Sequence, residues 1–183
     1  IGEFLDVKPG MRVVDACAGA GGKTLHLAAL MENKGQIIAM DIHGWKLAEL
    51  KRRAKRAGAH NIETREITDN KVIKRLHEKA DRLLIDAPCS GLGVLKRNPD
   101  SKWKIDQDFI DRIRKEQETI LQDYSKIIKK GGKMVYATCS ILPSENNEQV
   151  ENFLKNNPDF KLVKEEKVLP SKGFDGFYMA LIE

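Results

Sequence analysis

The chain has 183 residues, 41% of them hydrophobic and 32% charged, and carries a formal net charge of +5. This composition is ordinary for a soluble globular protein, and no apolar run approaches the roughly 18–20 residues needed to cross a membrane. Three widely separated cysteines argue against a disulfide framework and favour a reducing cytoplasm. The basic bias is compatible with a polyanionic partner.

Strands and helices alternate along the chain in the hydrophobic pattern. Strands are expected at residues 11–16, 36–42, 62–68, 82–87, 133–139, 161–168 and 176–182. Helices are expected at residues 24–31, 45–57, 71–79, 106–128 and 144–156. Gly131 and Gly132 are expected to end the longest helix, and Ser144 to cap the last one. The pattern predicts one α/β domain over residues 1–183, with a mostly parallel sheet, helices on both faces and two antiparallel C-terminal strands.

A glycine-rich turn, C-A-G-A-G-G-K-T, follows the first expected strand at residues 17–24. Glycines let a backbone approach a ligand closely, and the N-terminus of the next helix supplies free N–H groups, so the turn predicts a nucleotide-like ligand. The stretch matches a P-loop except that Cys17 stands where the first glycine belongs, and residues 83–86 resemble the strand and aspartate that help hold Mg²⁺. The glycine spacing differs from the dinucleotide fingerprint, which makes an NAD enzyme a weaker alternative.

An S-adenosylmethionine methyltransferase is the third class that fits this turn, because its glycine turn holds the amino-acid part of the cofactor and needs no phosphate. Asp41 ends the second expected strand, where a carboxylate would accept hydrogen bonds from the ribose hydroxyls. Asp69 follows the third strand and could accept from the adenine amino group. The alternatives are a helix cap for Asp41 and a plain turn residue for Asp69.

Two later cysteines follow expected strands, Cys89 in D-A-P-C-S-G and Cys139 in A-T-C-S. Carbon 5 of a pyrimidine needs activation before methylation, and a thiolate that adds to carbon 6 supplies it. A carboxylic acid near ring nitrogen 3 stabilises the charge that develops, and a second basic group assists elimination. Cys139, Asp86 and Cys89 could supply this set. Inert burial is the alternative for any free cysteine, and Cys17 is interpreted as structural.

Four stretches closely resemble the Sun/Fmu (RsmB-like, Nop2-type) RNA cytosine-5 methyltransferases: DACAGAGGKT, IIAMDI, LLIDAPCSGLGVLKRNPDSKW and GGKMVYATCSILPSENNEQVENFL. The resemblance covers nearly the whole chain and implies a Rossmann-like class I methyltransferase fold, S-adenosylmethionine as cofactor and cytosine in rRNA or tRNA as substrate. It implies Cys139 as the nucleophile, Cys89 as the residue that assists release of the methylated RNA, and Asp86 as a contact of cofactor and base. The cofactor contacts that it implies are Cys17, Ala18, Gly19, Ala20, Gly21, Gly22, Lys23, Asp41, Asp69 and Asp86.

The resemblance has two departures. The family loop often reads CAAPGGKT, whereas Gly19 and Ala20 occupy its middle here, and small residues suit the turn equally well. The chain also begins at Ile1, just before the first strand, whereas the family carries an upstream helical segment and often a separate RNA-binding domain. We therefore interpret the chain as a fragment and expect RNA capture to depend on the upstream part.

The same sequence features also suggest what the protein binds. Basic residues next to the DAPCSG motif, Lys96 and Arg97, are candidate contacts of the RNA backbone. We expect no metal ion, no membrane contact and no obligate protein partner, with a cytoplasmic monomer as the default. A catalytically silent methyltransferase fold that only binds RNA is the remaining alternative class.

Overall fold

The computed structural model describes the backbone of residues 1–183 and every side chain except that of Lys172. The strands are β1 (Arg12–Asp15), β2 (Gln36–Asp41), β3 (Ile62–Glu66), β4 (Ala80–Asp86), β5 (Ile128–Thr138), β6 (Leu162–Val168) and β7 (Phe177–Ile182). The α-helices are α1 (Gly2–Leu5), α2 (Gly22–Leu30), α3 (Gly44–Arg56), α4 (Asn70–Lys74), α5 (Gln107–Tyr124) and α6 (Asn147–Asn156). Single turns of 3₁₀-helix lie at Leu92–Val94, Pro99–Trp103, Ser125–Ile127, Pro143–Glu145 and Pro170–Lys172. Among the described helices, none is both long enough and apolar enough to cross a membrane.

The strands form one sheet in the order β3-β2-β1-β4-β5-β7-β6. β1 pairs in parallel with β2 and with β4, so that Val14 lies opposite both Ile38 and Leu83, and β2 pairs in parallel with β3. β6 and β7 are antiparallel, with Val168 opposite Phe177. The expected α/β class, with a mostly parallel sheet and antiparallel strands at its C-terminal end, is confirmed.

Contacts divide the chain into two compact units, residues 1–86 with 123–135 and residues 87–122 with 136–183. In the first unit, α3 places Leu47, Leu50 and Ala54 against the β2 residue Ala39, at the spacing of one helix face. Burial of such apolar surface stabilises a fold by roughly 25 cal/mol per Å². The second unit has its own buried residues, among them Tyr136, Val150, Phe153 and Tyr178.

The longest helix ends earlier than its hydrophobic pattern predicts. α5 stops at Tyr124, and Ile128 already belongs to β5. The carbonyls of Lys126 and Ile127 accept hydrogen bonds from the backbone N–H groups of Glu78 and Lys79, just before β4, and are therefore unavailable to a continuing helix. Gly131 and Gly132, predicted to end the helix, lie inside β5 instead.

The start of the last helix is also shifted. α6 begins at Asn147, and Ser144, predicted as its N-cap, lies in the preceding 3₁₀ turn. The side chains of Glu145 and Asn146 are fully buried and hydrogen-bonded away from the helix, which delays its first turn. α1 has no counterpart in the sequence prediction.

Candidate active site

The glycine turn after β1 is shaped by packing on one side and faces open space on the other. Gly21 has φ +84°, and a Cβ placed there would lie 2.4 Å from Cγ of Leu50 on α3. Only glycine fits such a position without strain. A Cβ on Gly19 or Gly22 would meet nothing within 4 Å. The turn therefore rests on α3 and leaves room for a ligand beside the N-terminus of α2.

Asp41, the last residue of β2, is tied to the same turn. Its Oδ2 accepts from the backbone N–H of Gly19 at 2.9 Å, and its Oδ1 accepts from the N–H of His43 at 2.8 Å. Each carboxylate oxygen can accept more than one hydrogen bond, so capacity for two hydroxyl donors remains. The predicted ribose contact is thus brought to the glycine turn and also fixes its shape.

Asp69 caps a helix, a role that the sequence analysis offered for Asp41 and not for Asp69. Its Oδ1 accepts from the backbone N–H of Lys71 at 2.7 Å and caps α4. The strand before it is anchored to Asp41, because the N–H of Ile67 donates to the Asp41 carbonyl at 3.0 Å. The carboxylate of Asp69 is exposed, and its contact with the adenine remains a prediction.

Lys23 and Asp86 form an ion pair beside the turn. Lys23 Nζ lies 2.5 Å from Asp86 Oδ2, and the two side chains are 32% and 26% exposed. Burial raises the pKa of Asp86, and the positive charge of Lys23 opposes that shift. Sequence analysis named both residues as cofactor contacts but did not predict that they would pair.

A buried carboxylate lies beneath this pair. Thr24 Oγ1 donates to Asp15 Oδ2 at 2.7 Å, and both residues are buried. Burial raises the pKa of Asp15 to about 7, helped by the negative charge of Asp86 and opposed by the Thr24 hydrogen bond. In a P-loop the corresponding hydroxyl would bind Mg²⁺ and the lysine would reach the phosphates. Here Thr24 is committed to Asp15 and Lys23 to Asp86, so the geometry argues against that class.

The two thiols of the second unit lie side by side. Cys89 Sγ and Cys139 Sγ are 3.3 Å apart, within hydrogen-bonding distance for sulfur, and both residues are partly buried. The N–H of Gly93 donates to the carbonyl of Cys139 at 2.9 Å, so the loop after Cys89 folds back onto its partner. The hydrogen bond to Cys139, together with burial, raises the pKa of the Cys89 thiol. Either sulfur can donate the hydrogen bond that the two thiols share.

Glu145 links the two thiol loops and was not predicted as a functional residue. Its carboxylate accepts from the N–H of Ser90, from Gln117 Nε2 and from Ser140 Oγ at 2.8, 3.0 and 2.7 Å. Ser90 and Ser140 directly follow Cys89 and Cys139 in the sequence. The sequence feature that could have indicated a role for Glu145 was the polar run after Pro143. This run is equally typical of the start of a helix.

The candidate RNA contacts differ from each other. Lys96 is exposed, whereas Arg97 Nη2 forms an ion pair with Asp175 Oδ2 at 2.7 Å. The exposed Trp103 lies nearby in sequence, with Lys102 Nζ 4.8 Å from its ring centroid. In the part of the chain that is described, no cluster of three or more His, Cys, Asp or Glu side chains could hold a metal ion.

Comparisons with known proteins identify the family of this chain. The family model described as "16S rRNA methyltransferase RsmB/F" matches residues 3–182. A Bacillus subtilis relative named "Probable ribosomal RNA small subunit methyltransferase B" is 39% identical over 174 residues, which are 94% of this chain and 39% of the relative. Mouse "tRNA (cytosine(72)-C(5))-methyltransferase NSUN6" is 34% identical over 193 residues, covering 99% of this chain and 40% of the relative.

A solved structure extends the comparison to three dimensions. NSun6 from Pyrococcus horikoshii, solved with SFG, superposes with a TM-score of 0.89 at 29% identity and covers 100% of this chain and 50% of that one. The chain spans about two fifths of the length of the curated relatives described above, 39% and 40%. The match over residues 3–182 places the chain in the RsmB/F family of methyltransferases, with their Rossmann-like fold.

Proposed function

We propose that this chain is the catalytic part of an RNA methyltransferase that transfers a methyl group to carbon 5 of a cytosine through a covalent cysteine adduct. The observation that carries the proposal is the pair of thiols, Cys89 and Cys139, whose sulfur atoms lie 3.3 Å apart in the second unit. Two neighbouring thiols, one of which retains its proton, suit attack and release better than a structural role. Family membership supports the reaction class.

S-adenosylmethionine is the proposed cofactor, and when bound it supplies an electrophilic methyl group on a sulfonium. The residues present fit such a ligand, because the open side of the turn at Gly19 and Gly22 would be filled by any side chain. Asp41 has carboxylate lone pairs left for the ribose, and the ammonium group of Lys23, beside Asp86, can bind the carboxylate of the cofactor. The full proposed set is Cys17, Ala18, Gly19, Ala20, Gly21, Gly22, Lys23, Asp41, Asp69 and Asp86.

The chain's own side chains would activate the base. Cys139, as the thiolate, forms a bond to carbon 6, and the electrons of the C5–C6 double bond move toward carbon 5 and ring nitrogen 3. Asp86 is proposed to meet nitrogen 3 as an acid, a role that its raised pKa favours. Protonated Cys89 is proposed to stabilise the Cys139 thiolate before attack by donating a hydrogen bond to it.

Release reverses the addition. The proton on carbon 5 leaves to a base, the bond between sulfur and carbon 6 breaks, and its electrons return to Cys139 while the double bond reforms. We propose that Cys89 assists this step, because its sulfur lies next to the departing thiolate. A variant that lacks Cys89 should then stall as a protein–RNA adduct.

The proposed substrate is a cytosine in rRNA or tRNA that is unpaired or turned out of its helix, because a stacked base is out of reach of a side chain. Lys96 and Arg97 are proposed as weak contacts of the RNA backbone. We propose a cytoplasmic monomer that needs no metal ion.

Calorimetry followed by nucleoside analysis tests the proposal. The protein should bind S-adenosylmethionine saturably and not ATP, and RNA treated with protein and cofactor should gain 5-methylcytidine, detected by mass spectrometry. Binding of Mg-ATP without S-adenosylmethionine would overturn the proposal in favour of a P-loop-like NTPase. Cofactor binding with methylation at a base nitrogen would overturn the carbon-5 mechanism.

A further inference from the structure

Glu145 is a buried carboxylate that joins three separate segments of the second unit. It is fully buried and accepts from Ser90 in the loop after β4, Gln117 on α5 and Ser140 in the loop after β5. Its own backbone carbonyl accepts from the hydroxyl of Tyr136 at 2.8 Å. A carboxylate with these donors is satisfied, whereas donors that lose it in the interior are left unpaired.

These hydrogen bonds converge on the thiol pair. Ser90 and Ser140 each lie one residue after a thiol, and their hydroxyl oxygens are 3.2 Å apart. The neighbouring Asn146 adds a second tie, because its Nδ2 donates to the carbonyl of Ser140 at 3.0 Å. The backbone on the C-terminal side of each thiol is thus bound to the same short segment.

We propose that Glu145 is a positioning residue, whose carboxylate sets the distance between the sulfur atoms of Cys89 and Cys139. We expect this role to depend on the length of the side chain at position 145 rather than on its charge. Glutamine at 145 has the same length: its amide oxygen can accept from Ser90 and Gln117, and its NH₂ group can donate to the Ser140 hydroxyl, which then donates to Ser90 Oγ. Aspartate keeps the charge but is one methylene short of its donors.

The inference rests on the proposed function for its meaning in catalysis, but the sulfur–sulfur distance can be tested without RNA or cofactor. Phenylarsine oxide is a suitable probe because it bridges two thiols that lie close together. Each sulfur forms a bond to arsenic, the arsenic-bound oxygen leaves as water with the two thiol protons, and no oxidation occurs. The affinity for this probe therefore reports whether the two sulfur atoms are held close enough together for one arsenic atom to bind both.

The experiment compares Glu145→Asp with Glu145→Gln in the protein. We expect Glu145→Asp to bind the arsenical at least about tenfold more weakly than the wild type, and Glu145→Gln to stay within about threefold. Cys139→Ser, which removes one of the two sulfurs, defines single-thiol binding. Asn157→Ala is the matched control, because the Asn157 side chain takes part in three hydrogen bonds of the same unit, to Gln122 and Phe153, away from the thiols.

Wild-type affinity in Glu145→Asp, or an equally large loss in Glu145→Gln, would overturn the proposal. If Glu145→Asp fails to fold by near-ultraviolet circular dichroism, Ser140→Ala decides, since it removes the Ser140 hydrogen bonds with Glu145 and Ser90 and should weaken binding about fivefold, more than the threefold allowed for Glu145→Gln. Unchanged binding in Ser140→Ala would then overturn it. In a methylation assay the positioning role further predicts a lower kcat in Glu145→Asp with an unchanged Kd for S-adenosylmethionine. Absence of methylation in every variant, including the wild type, would contradict the proposed function and leave the thiol-distance result intact.

Discussion

In the glycine turn of the first unit, backbone groups are held by each other and by the side chains of Asp41 and Arg53, whereas in the thiol loops of the second unit one buried carboxylate, Glu145, joins both loops. Gly21 packs on Leu50, and the N–H of Gly19 is fixed by Asp41. The thiol loops are held by Glu145, whose carboxylate accepts hydrogen bonds from Ser90 and Ser140. The turn itself is one contiguous sequence motif, whereas the hydrogen bonds of Glu145 join residues from three separate segments. The following predictions test that difference.

The largest expected effect separates chemistry from folding in the thiol loops. Cys139→Ala should lower the rate of cytosine methylation by about 10³-fold or more, because Cys139 is the proposed nucleophile. Its midpoint of urea unfolding should stay close to that of the wild type, since the hydrogen bonds of Glu145 do not involve the sulfur. Methylation that survives in Cys139→Ala would contradict the assigned nucleophile.

A pH titration of stability tests the buried carboxylate below the turn. Burial raises the pKa of Asp15 to about 7. Between about pH 4 and pH 7 the folded protein therefore retains a proton that the unfolded chain has lost, and the free energy of unfolding falls as pH rises through that window. The difference amounts to at most about 4 kcal/mol above pH 7.

Asp15→Asn removes this titration and keeps an oxygen to accept from Thr24. The variant should match the wild type near pH 4 and become the more stable of the two by pH 8, measured as urea unfolding at both values. Parallel stability profiles for the two proteins would show that Asp15 does not titrate in this window.

Two glycine substitutions probe the two sides of the turn. Gly21→Ala should lower the free energy of unfolding by about 2–4 kcal/mol, because the methyl group meets Leu50 at a backbone angle that favours glycine. Gly22→Ala should change stability by less than about 1 kcal/mol yet weaken S-adenosylmethionine binding, because its Cβ enters open space. Thermal unfolding and calorimetry give the two quantities. Equal losses of stability in both variants would contradict the division of the turn into a packed and an open side.

The smallest expected effect concerns RNA. Lys96→Gln should reduce the salt dependence of RNA affinity by roughly 0.7–0.9 in the log–log slope. Arg97→Gln should reduce it by less, because Asp175 already neutralises part of the arginine charge. Filter binding over a range of salt concentrations measures both slopes. A larger change for Arg97→Gln than for Lys96→Gln would reverse this ranking.

The fold and the position of Asp41 beside the glycine turn were predictable because their signals are local. The strand before Cys17, the glycine turn and Asp41 all lie in short patterns whose period or spacing carries the information. The end of α5 was missed, since apolar residues at helical spacing continue to Ile128 while the carbonyls of Lys126 and Ile127 pair with a distant segment. Hydrogen bonds to a distant segment do not change the spacing of apolar residues, so the sequence pattern does not reveal them.

The hydrogen bonds of Glu145 also could not be predicted from the sequence. A glutamate after a Pro-Ser turn is usually exposed, and nothing in its neighbourhood indicates three buried donors from other segments. The thiols could be named from their motifs, but the Sγ–Sγ distance of 3.3 Å required the structure. The sequence therefore named candidate catalytic groups and left open which residues hold them in place.

The most direct test of the covalent mechanism is a denaturing gel of Cys89→Ala incubated with cellular RNA and S-adenosylmethionine. Loss of Cys89 should block release, so a protein–RNA adduct should accumulate that is absent from Cys89→Ala/Cys139→Ala and scarce in the wild type. An adduct that persists without Cys139 would contradict the account. So would its absence from a Cys89→Ala preparation that methylates cytosine at the wild-type rate.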